Sequence, residues 1–225
     1  MVIAQCKQLI KIYPGAHDFR ALDEVSLSIK QGEFVSIMGP SGCGKSTLLN
    51  ILGLLDEPTA GEYLLEGVPT ARLNDARRTQ LRRSHIGFIF QSFNLMPRLS
   101  VLENIALPMR YSDMPRANIL PRARELAVRV GLENKLHSTP LQLSGGQCQR
   151  VACARSLANN PSIILADEPT GNLDSKASAD ILDLLQELNK NGMTIIMVTH
   201  DPKIAAGTHR TIHMKDGKII GDYPI

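Results

Sequence analysis

Eight residues, Gly39-Pro40-Ser41-Gly42-Cys43-Gly44-Lys45-Ser46, narrow the fold of this chain more than any other stretch. Before them runs Glu33-Phe34-Val35-Ser36-Ile37-Met38, an apolar strand-like segment, and after them Thr47-Leu48-Leu49-Asn50-Ile51-Leu52, which reads as helix. In such a strand–loop–helix unit the glycines let the backbone turn tightly and aim its N–H groups at one point. The helix brings the positive end of its dipole to the same place. The spacing is the one that cradles a nucleoside triphosphate, with Lys45 reaching the β- and γ-phosphates and the Ser46 hydroxyl reaching Mg2+. A glycine-rich turn with a stray lysine is the plain alternative, and the flanking strand and helix weigh against it.

The rest of the chain supplies a frame for that unit. Ile163–Ala166 and Ile195–Val198 are continuous apolar runs of strand length. Ile181, Leu184, Leu185 and Leu188 mark an amphipathic helix that stops near Gly192. Buried strands alternating with helices predict an α/β fold, a mostly parallel sheet covered on both faces. Val2–Ala4 and Ala21–Ile29 predict further strands, the second alternating from Val25 to Ile29, with more strand signal around Tyr63-Leu64-Leu65. Thr211–Met214 and Lys218–Ile220 predict a hairpin about Asp216-Gly217. From about Pro97 to Ser144 the pattern turns helical. Ala123, Leu126, Ala127 and Val130 share one face, Gly131 suits a C-cap, and Pro97, Pro108, Pro115, Pro121 and Pro140 are expected to cut the zone into short helices and turns. This zone reads as an inserted helical subdomain.

Composition limits the function classes. Hydrophobic residues make up 43% and charged residues 21%, ordinary for a globular protein. No apolar run approaches the ~18 residues of a membrane span, and polar residues near the start argue against a signal peptide. Cys6, Cys43, Cys148 and Cys153 lack zinc-ligand spacing and fit reduced cytosolic thiols. A net charge of +3, no Trp and few aromatics give no support to nucleic-acid binding.

Three more places carry chemistry. Asp167 and Glu168 end an apolar strand, where open α/β sheets bind ligands. There Asp167 can hold Mg2+ through its water shell and Glu168 can accept a proton from water. An acidic turn is the bland reading. His200 ends a second such strand and is expected at the same edge, within reach of a γ-phosphate and the attacking water, whereas His17, His85, His137, His209 and His213 read as structural or merely exposed. Leu143-Ser144-Gly145-Gly146-Gln147 opens a helix with Ser144 as N-cap. Two glycines at its start bare backbone N–H groups and predict a second anion site with some close approach.

Taken together these motifs resemble the nucleotide-binding subunit of an ATP-binding-cassette (ABC) transporter, over nearly the whole chain and in the family's order. The resemblance implies a P-loop NTPase core of RecA-like type, with an N-terminal antiparallel β subdomain and an inserted α-helical subdomain. On that division residues 1–225 form one ABC ATPase domain, 1–95 and 160–225 being catalytic core and about 96–159 the signature-bearing helical part. The cofactors implied are ATP and Mg2+. By the match, Gly39, Ser41, Gly42, Cys43, Gly44, Lys45, Ser46 and Thr47 hold phosphates. Gln91 is the Q-loop glutamine, Glu168 the catalytic base and His200 the switch histidine, while Ser46, Gln91 and Asp167 serve the metal. Ser144, Gly145, Gly146 and Gln147 match the signature, Asp174 the D-loop aspartate, and Tyr13 the aromatic that stacks on adenine. The resemblance further implies a head-to-tail homodimer closed by ATP, a separate transmembrane permease as partner, no nucleic acid, and a peripheral place on the cytoplasmic face of the cell membrane.

Within the family, Phe90–Pro97, Val101–Asn104 and Leu165–Asp174 resemble the branch of macrolide exporters, lipoprotein-release ATPases and the cell-division ATPase. That leans toward export or release, with mechanotransmission or cell-division signalling as the alternative. Relatives in DNA repair or translation carry coiled coils, zinc modules or a second cassette, none of which this sequence displays. Phe93, Leu95, Leu99 and Val101 are read either as the lining of a groove for a permease helix or as core. Cys43 is read either as a redox-sensitive thiol, being near Lys45 and a helix N-terminus, or as a small packing residue. Arg72, Arg77, Arg78, Arg82 and Arg83 form a basic run, read as a solvated helix face rather than a binding patch.

Overall fold

A computed structural model describes residues 1–15, 17–71 and 73–224. In chain order the elements are β1 (Val2–Tyr13), β2 (Phe19–Lys30), β3 (Phe34–Met38), α1 (Lys45–Leu52), β4 (Ala60–Leu65), β5 (Val68–Pro69), α2 (Asp75–His85), β6 (Ile86–Phe90) and α3 (Val101–Ala106). There follow α4 (Arg116–Arg129), α5 (Gly145–Ser156), β7 (Ile163–Asp167), α6 (Ser175–Lys190), β8 (Thr194–Val198), α7 (Pro202–Ala205), β9 (Arg210–Lys215) and β10 (Lys218–Pro224).

Among the described residues the strands form two sheets. The larger has the order β10-β9-β3-β8-β7-β6, parallel from β9 to β6, with β10 added antiparallel as the second arm of the expected hairpin. The smaller, β2-β1-β4-β5, is antiparallel. β8 is buried along its whole length and β7 up to Asp167, which is why both read as unbroken apolar runs. β2 buries Val25, Leu27 and Ile29 on one face, as its alternation requires. β1 is much longer than the Val2–Ala4 expected. Its pairing with β2 shifts register between Cys6 and Leu9 and again between Leu9 and Lys11, with Gln8 at φ 49. Bulges of this kind break the period-two pattern that sequence reading depends on.

The helical zone differs from expectation at one proline. Pro121 does not end a helix; it lies inside α4, which runs for 14 residues. An interior proline costs ~3 kcal/mol, but Ile119, Ala123, Leu126 and Ala127 are all buried in the core shared by α3, α4, α5 and one face of the large sheet. Burying Ile119 and Leu126 returns ~1.5–3 kcal/mol each. The end of α4 is as expected. Gly131, at φ 71, donates to Val128 O at 2.9 Å while Leu132 N donates to Ala127 O at 2.9 Å, a Schellman closure.

The basic run is less solvated than expected. Arg72 lies outside the described residues. Arg77, exposed on α2, pairs with Gln80. Arg78 pairs with Glu57, Arg82 donates to Leu54 O at 2.7 Å, and Arg83 bonds Tyr111 O and Asp113. Most of α2's cations therefore fasten this helix to neighbouring turns.

Candidate functional site

The parallel register brings the chemical residues to one edge. Phe90 pairs with Asp167, Asp167 with Val198, and Val198 with Ile37, so one row crosses β6, β7, β8 and β3. The next residue on each strand continues past the carboxyl edge as Gln91, Glu168, Thr199 and Met38, with Gly39 and His200 one further on. Neighbouring strands are ~4.8 Å apart, which gathers the phosphate loop, both carboxylates, the glutamine and the imidazole into one band.

The loop between β3 and α1 is built around two close approaches. Gly39, at φ +154, lies so near β9 that a Cβ there would stand 2.2 Å from Met214 O. Gly44, at φ +101, is the N-cap of α1 and would bring a Cβ to 2.4 Å from Ala21 O. No side chain caps α1, so its first N–H groups are open to an anion. Lys45 is buried, 8% exposed, and its Nζ donates to Gly39 O and Pro40 O at 2.8 Å each. Ser41, Gly42 and Ser46 are exposed, and Thr47 is half-buried. Cys43 packs in the core at 2% exposure with its Sγ 3.9 Å from Lys45 Nζ. That burial matches the packing reading of Cys43 and leaves little access for an oxidant.

Burial and then the neighbouring Glu168 charge push the Asp167 carboxyl above its ordinary range, against the pull of Ser46 and Lys45. The sign is that of a destabilised charge. At neutral pH the ionised carboxylate costs folding free energy, and the cost is relieved as pH falls through the raised value. A cation offsets it equally well. Among the described residues no cluster of three or more His, Cys, Asp or Glu is arranged to hold a metal by itself. Ser46 hydroxyl, Asp167 carboxylate and Gln91 amide oxygen make an all-oxygen set, which fits Mg2+ completed by water and phosphate.

Glu168 sits in the left-handed region at φ 44, an uncommon place for a glutamate. The turn is held by Glu168 N donating to Val198 O at 3.0 Å and Gly171 N donating to Glu168 O at 3.0 Å. Its carboxylate Oε2 is 2.7 Å from His200 Nδ1, so the expected meeting of these residues is realised. Gln91 stands against the same turn. Its Nε2 donates to Asn172 Oδ1 at 3.3 Å, and Asn172 Nδ2 donates back to Gln91 O at 3.0 Å. A Cβ on Gly171 would lie 2.7 Å from Gln91 Nε2 and 3.3 Å from Glu168 Oε2. Gly171 was not singled out from sequence, where a glycine in a turn gives no sign of what it approaches.

The second anion-type helix start is α5. Ser144 Oγ accepts from Gln147 N at 3.3 Å while Gln147 Oε1 accepts from Ser144 N at 3.0 Å, a complete capping box. The close approach expected of the two glycines occurs within the chain itself. A Cβ on Gly146 would stand 3.0 Å from Ala177 Cβ of α6, and one on Gly145 3.3 Å from Leu173 Cδ2. Asp174 caps α6 by accepting from Ala177 N at 2.8 Å. Ser144, Gly146, Gln147 and Asp174 thus line a cleft with Arg150 and Lys176, while Glu168, Gly171 and His200 line a different one.

Tyr13 closes β1 near α1. Its hydroxyl donates to Asp56 Oδ2 at 2.8 Å, and the residue is 37% exposed. Of the two readings of Phe93, Leu95, Leu99 and Val101, core packing holds for Val101 and Leu95. Val101, the first residue of α3, is fully buried, and Leu95 packs on the same core. A groove of about 460 Å³ lies instead among Leu55, Phe88, Phe90, Pro108 and Tyr111, rimmed by Arg82, Arg83 and Arg155.

Comparison with known proteins agrees with this geometry. The family model described as ABC transporter matches residues 22–171. An uncharacterized ABC transporter ATP-binding protein of Thermotoga maritima is 51% identical over 212 residues, covering 94% of this chain and 91% of that one. The macrolide export ATP-binding/permease protein MacB of Aggregatibacter actinomycetemcomitans is 48% identical over 223 residues, covering 99% of this chain but 35% of its own length. A dimeric post-hydrolysis structure of the ATP-binding cassette MJ0796, bound to ADP and Pi, superposes with a TM-score of 0.90 at 47% identity, over 99% of this chain and 98% of that one. With its phosphate loop, paired carboxylates and Ser-Gly-Gly helix on a matching fold, the chain belongs to the ABC transporter family of ATP-binding cassette ATPases.

Proposed function

We propose that this ATPase powers a separate transmembrane permease by ATP-driven pairing of two copies, in the manner of export or release systems. Residues 1–95 and 160–225 are read as the catalytic core and about 96–159 as the helical part that carries the signature. One observation carries the pairing. Among the described residues two helix starts suit anions, at Lys45 and at Gly145, and the cleft lined by Ser144, Gly146 and Gln147 contains no phosphate-loop residue. Two copies set head to tail bring one copy's phosphate loop and the other's Ser144–Gly146 turn to the same triphosphate. The dimeric form of the MJ0796 cassette supports that reading.

In hydrolysis Glu168 takes the proton of the attacking water while His200 steadies the carboxylate through its 2.7 Å contact. Lys45 exchanges the Gly39 and Pro40 carbonyls for phosphate oxygens. Mg2+ at Ser46, Asp167 and Gln91 would neutralise developing phosphate charge. Ser144→Arg tests the shared site, because it adds a bulky cation where the partner's phosphate has to enter. ATP should bind the monomer as in the parent, and ATP-dependent dimer should disappear from light scattering. A dimer of parental strength rejects the arrangement.

The fusion of cassette and permease in relatives such as MacB supports a membrane partner. Among the described residues no helix is long and apolar enough to cross a membrane, so attachment on the cytoplasmic face is assigned to the permease. The apolar floor and cationic rim of the 460 Å³ groove suit a short amphipathic helix with an acidic side chain. Tyr111, 70% exposed at its mouth, is the probe. Tyr111→Glu is expected to reduce saturable binding to membranes of the source cell by about tenfold or more, the scale of a lost interface anchor, with ATP binding retained. Undiminished membrane binding removes the groove from the account.

A further inference from the structure

The Tyr13 ring is restrained from two directions, by Asp56 far from it in sequence and by Lys11 on its own strand. Its hydroxyl donates to Asp56 Oδ2 at 2.8 Å, and Lys11 Nζ stands over one face, 4.8 Å from the ring centroid. Lys11 is itself fixed, since Nζ donates to Asp56 Oδ1 at 2.5 Å and to Glu57 O at 2.7 Å. Asp56 also accepts from Glu57 N at 2.7 Å. Asp56 follows the end of α1. The ring is therefore tied to the segment that leaves the helix beginning at the phosphate loop.

The charges agree with the geometry. Burial would raise the Asp56 carboxyl, but the hydrogen bonds from Lys11, Tyr13 and Glu57 N outweigh it and hold it below the ordinary value. The Tyr13 phenol is raised, first by burial and then by Asp56. At neutral pH the pair is thus a neutral donor on an ionised acceptor, the stronger kind of hydrogen bond.

We propose that Asp56 is a positioning residue for the nucleobase, which with Lys11 fixes the Tyr13 ring so that one face alone is open to stacking. The inference rests on Tyr13 being the base platform. A tyrosine at a strand end otherwise samples several rotamers, and ordering it on binding costs affinity. Asp56 and Lys11 remove that cost in advance. Lys11 also excludes a base from the face it covers.

Titration calorimetry with ATP and with inorganic tripolyphosphate separates base binding from phosphate binding. Asp56→Ala should weaken ATP about tenfold, within the range one base–aromatic stack supplies, and leave tripolyphosphate unchanged. Asp56→Asn keeps an acceptor for the phenol and should recover most of the loss. In a Tyr13→Ala background, Asp56→Ala should add nothing. Parental ATP affinity in Asp56→Ala overturns the inference, and so does an equal loss for both ligands, which would mean a damaged phosphate loop. A fall in Asp56→Asn as deep as in Asp56→Ala also overturns it. If Tyr13→Ala weakens ATP and Asp56→Ala does not, the positioning role alone falls. If Tyr13→Ala binds ATP like the parent, the base platform falls, and the inference with it.

Discussion

Glu168→Gln is expected to lower ATP turnover by a factor of about 10²–10⁴, the usual contribution of a positioned general base, while ATP still binds. The residue's setting explains why a neutral isostere should separate binding from chemistry. Its backbone is held at φ 44 by bonds to Val198 O and from Gly171 N, neither of which involves the side chain. The amide therefore occupies the carboxylate's position without moving the turn. What disappears is the acceptor proposed for the water's proton and the carboxylate that contacts His200 at 2.7 Å. With ATP bound and not consumed, paired cassettes should accumulate on a sizing column. Hydrolysis at the parental rate in this variant would remove Glu168 from the base role.

Lys45→Ala should weaken ATP binding by at least about a hundredfold, since hydrogen bonds to a charged group contribute roughly 1.5–3 kcal/mol each and every 1.4 kcal/mol is tenfold in affinity. The buried ammonium bridges Gly39 O and Pro40 O, so its removal takes away a cation for phosphate and two struts across the loop. Circular dichroism melting separates the two losses. A folded variant with parental affinity in calorimetry would overturn the assignment of the loop to phosphate.

Legibility from sequence followed the kind of contact involved. β7 and β8 were readable because burial on both faces leaves the apolar runs Ile163–Ala166 and Ile195–Val198, and α6 because Ile181, Leu184, Leu185 and Leu188 all turn inward. β1 was mostly hidden because its bulges cancel alternation, and Pro121 misled because packing around α4 outweighs a local penalty. In the site, parallel strands ending in Asp167-Glu168 and His200 predicted their convergence, since register follows from topology. The Asp56–Tyr13 bond spans 43 residues and leaves no periodic trace. The reason for glycine at 146 was equally invisible, being the Cβ of Ala177 on another helix.

The place of β3 in its sheet sets an order of events during synthesis. Its two neighbours are β8 and β9, so a nascent polypeptide that has emerged only as far as residue 170 already contains Gly39–Ser46 yet neither strand that flanks it. The carbonyl of Met214 against which Gly39 is packed arrives later still. A ribosome making ~5–20 residues per second therefore leaves the earliest motif without its walls for several seconds, and the pocket becomes competent among the last parts of the protein to do so.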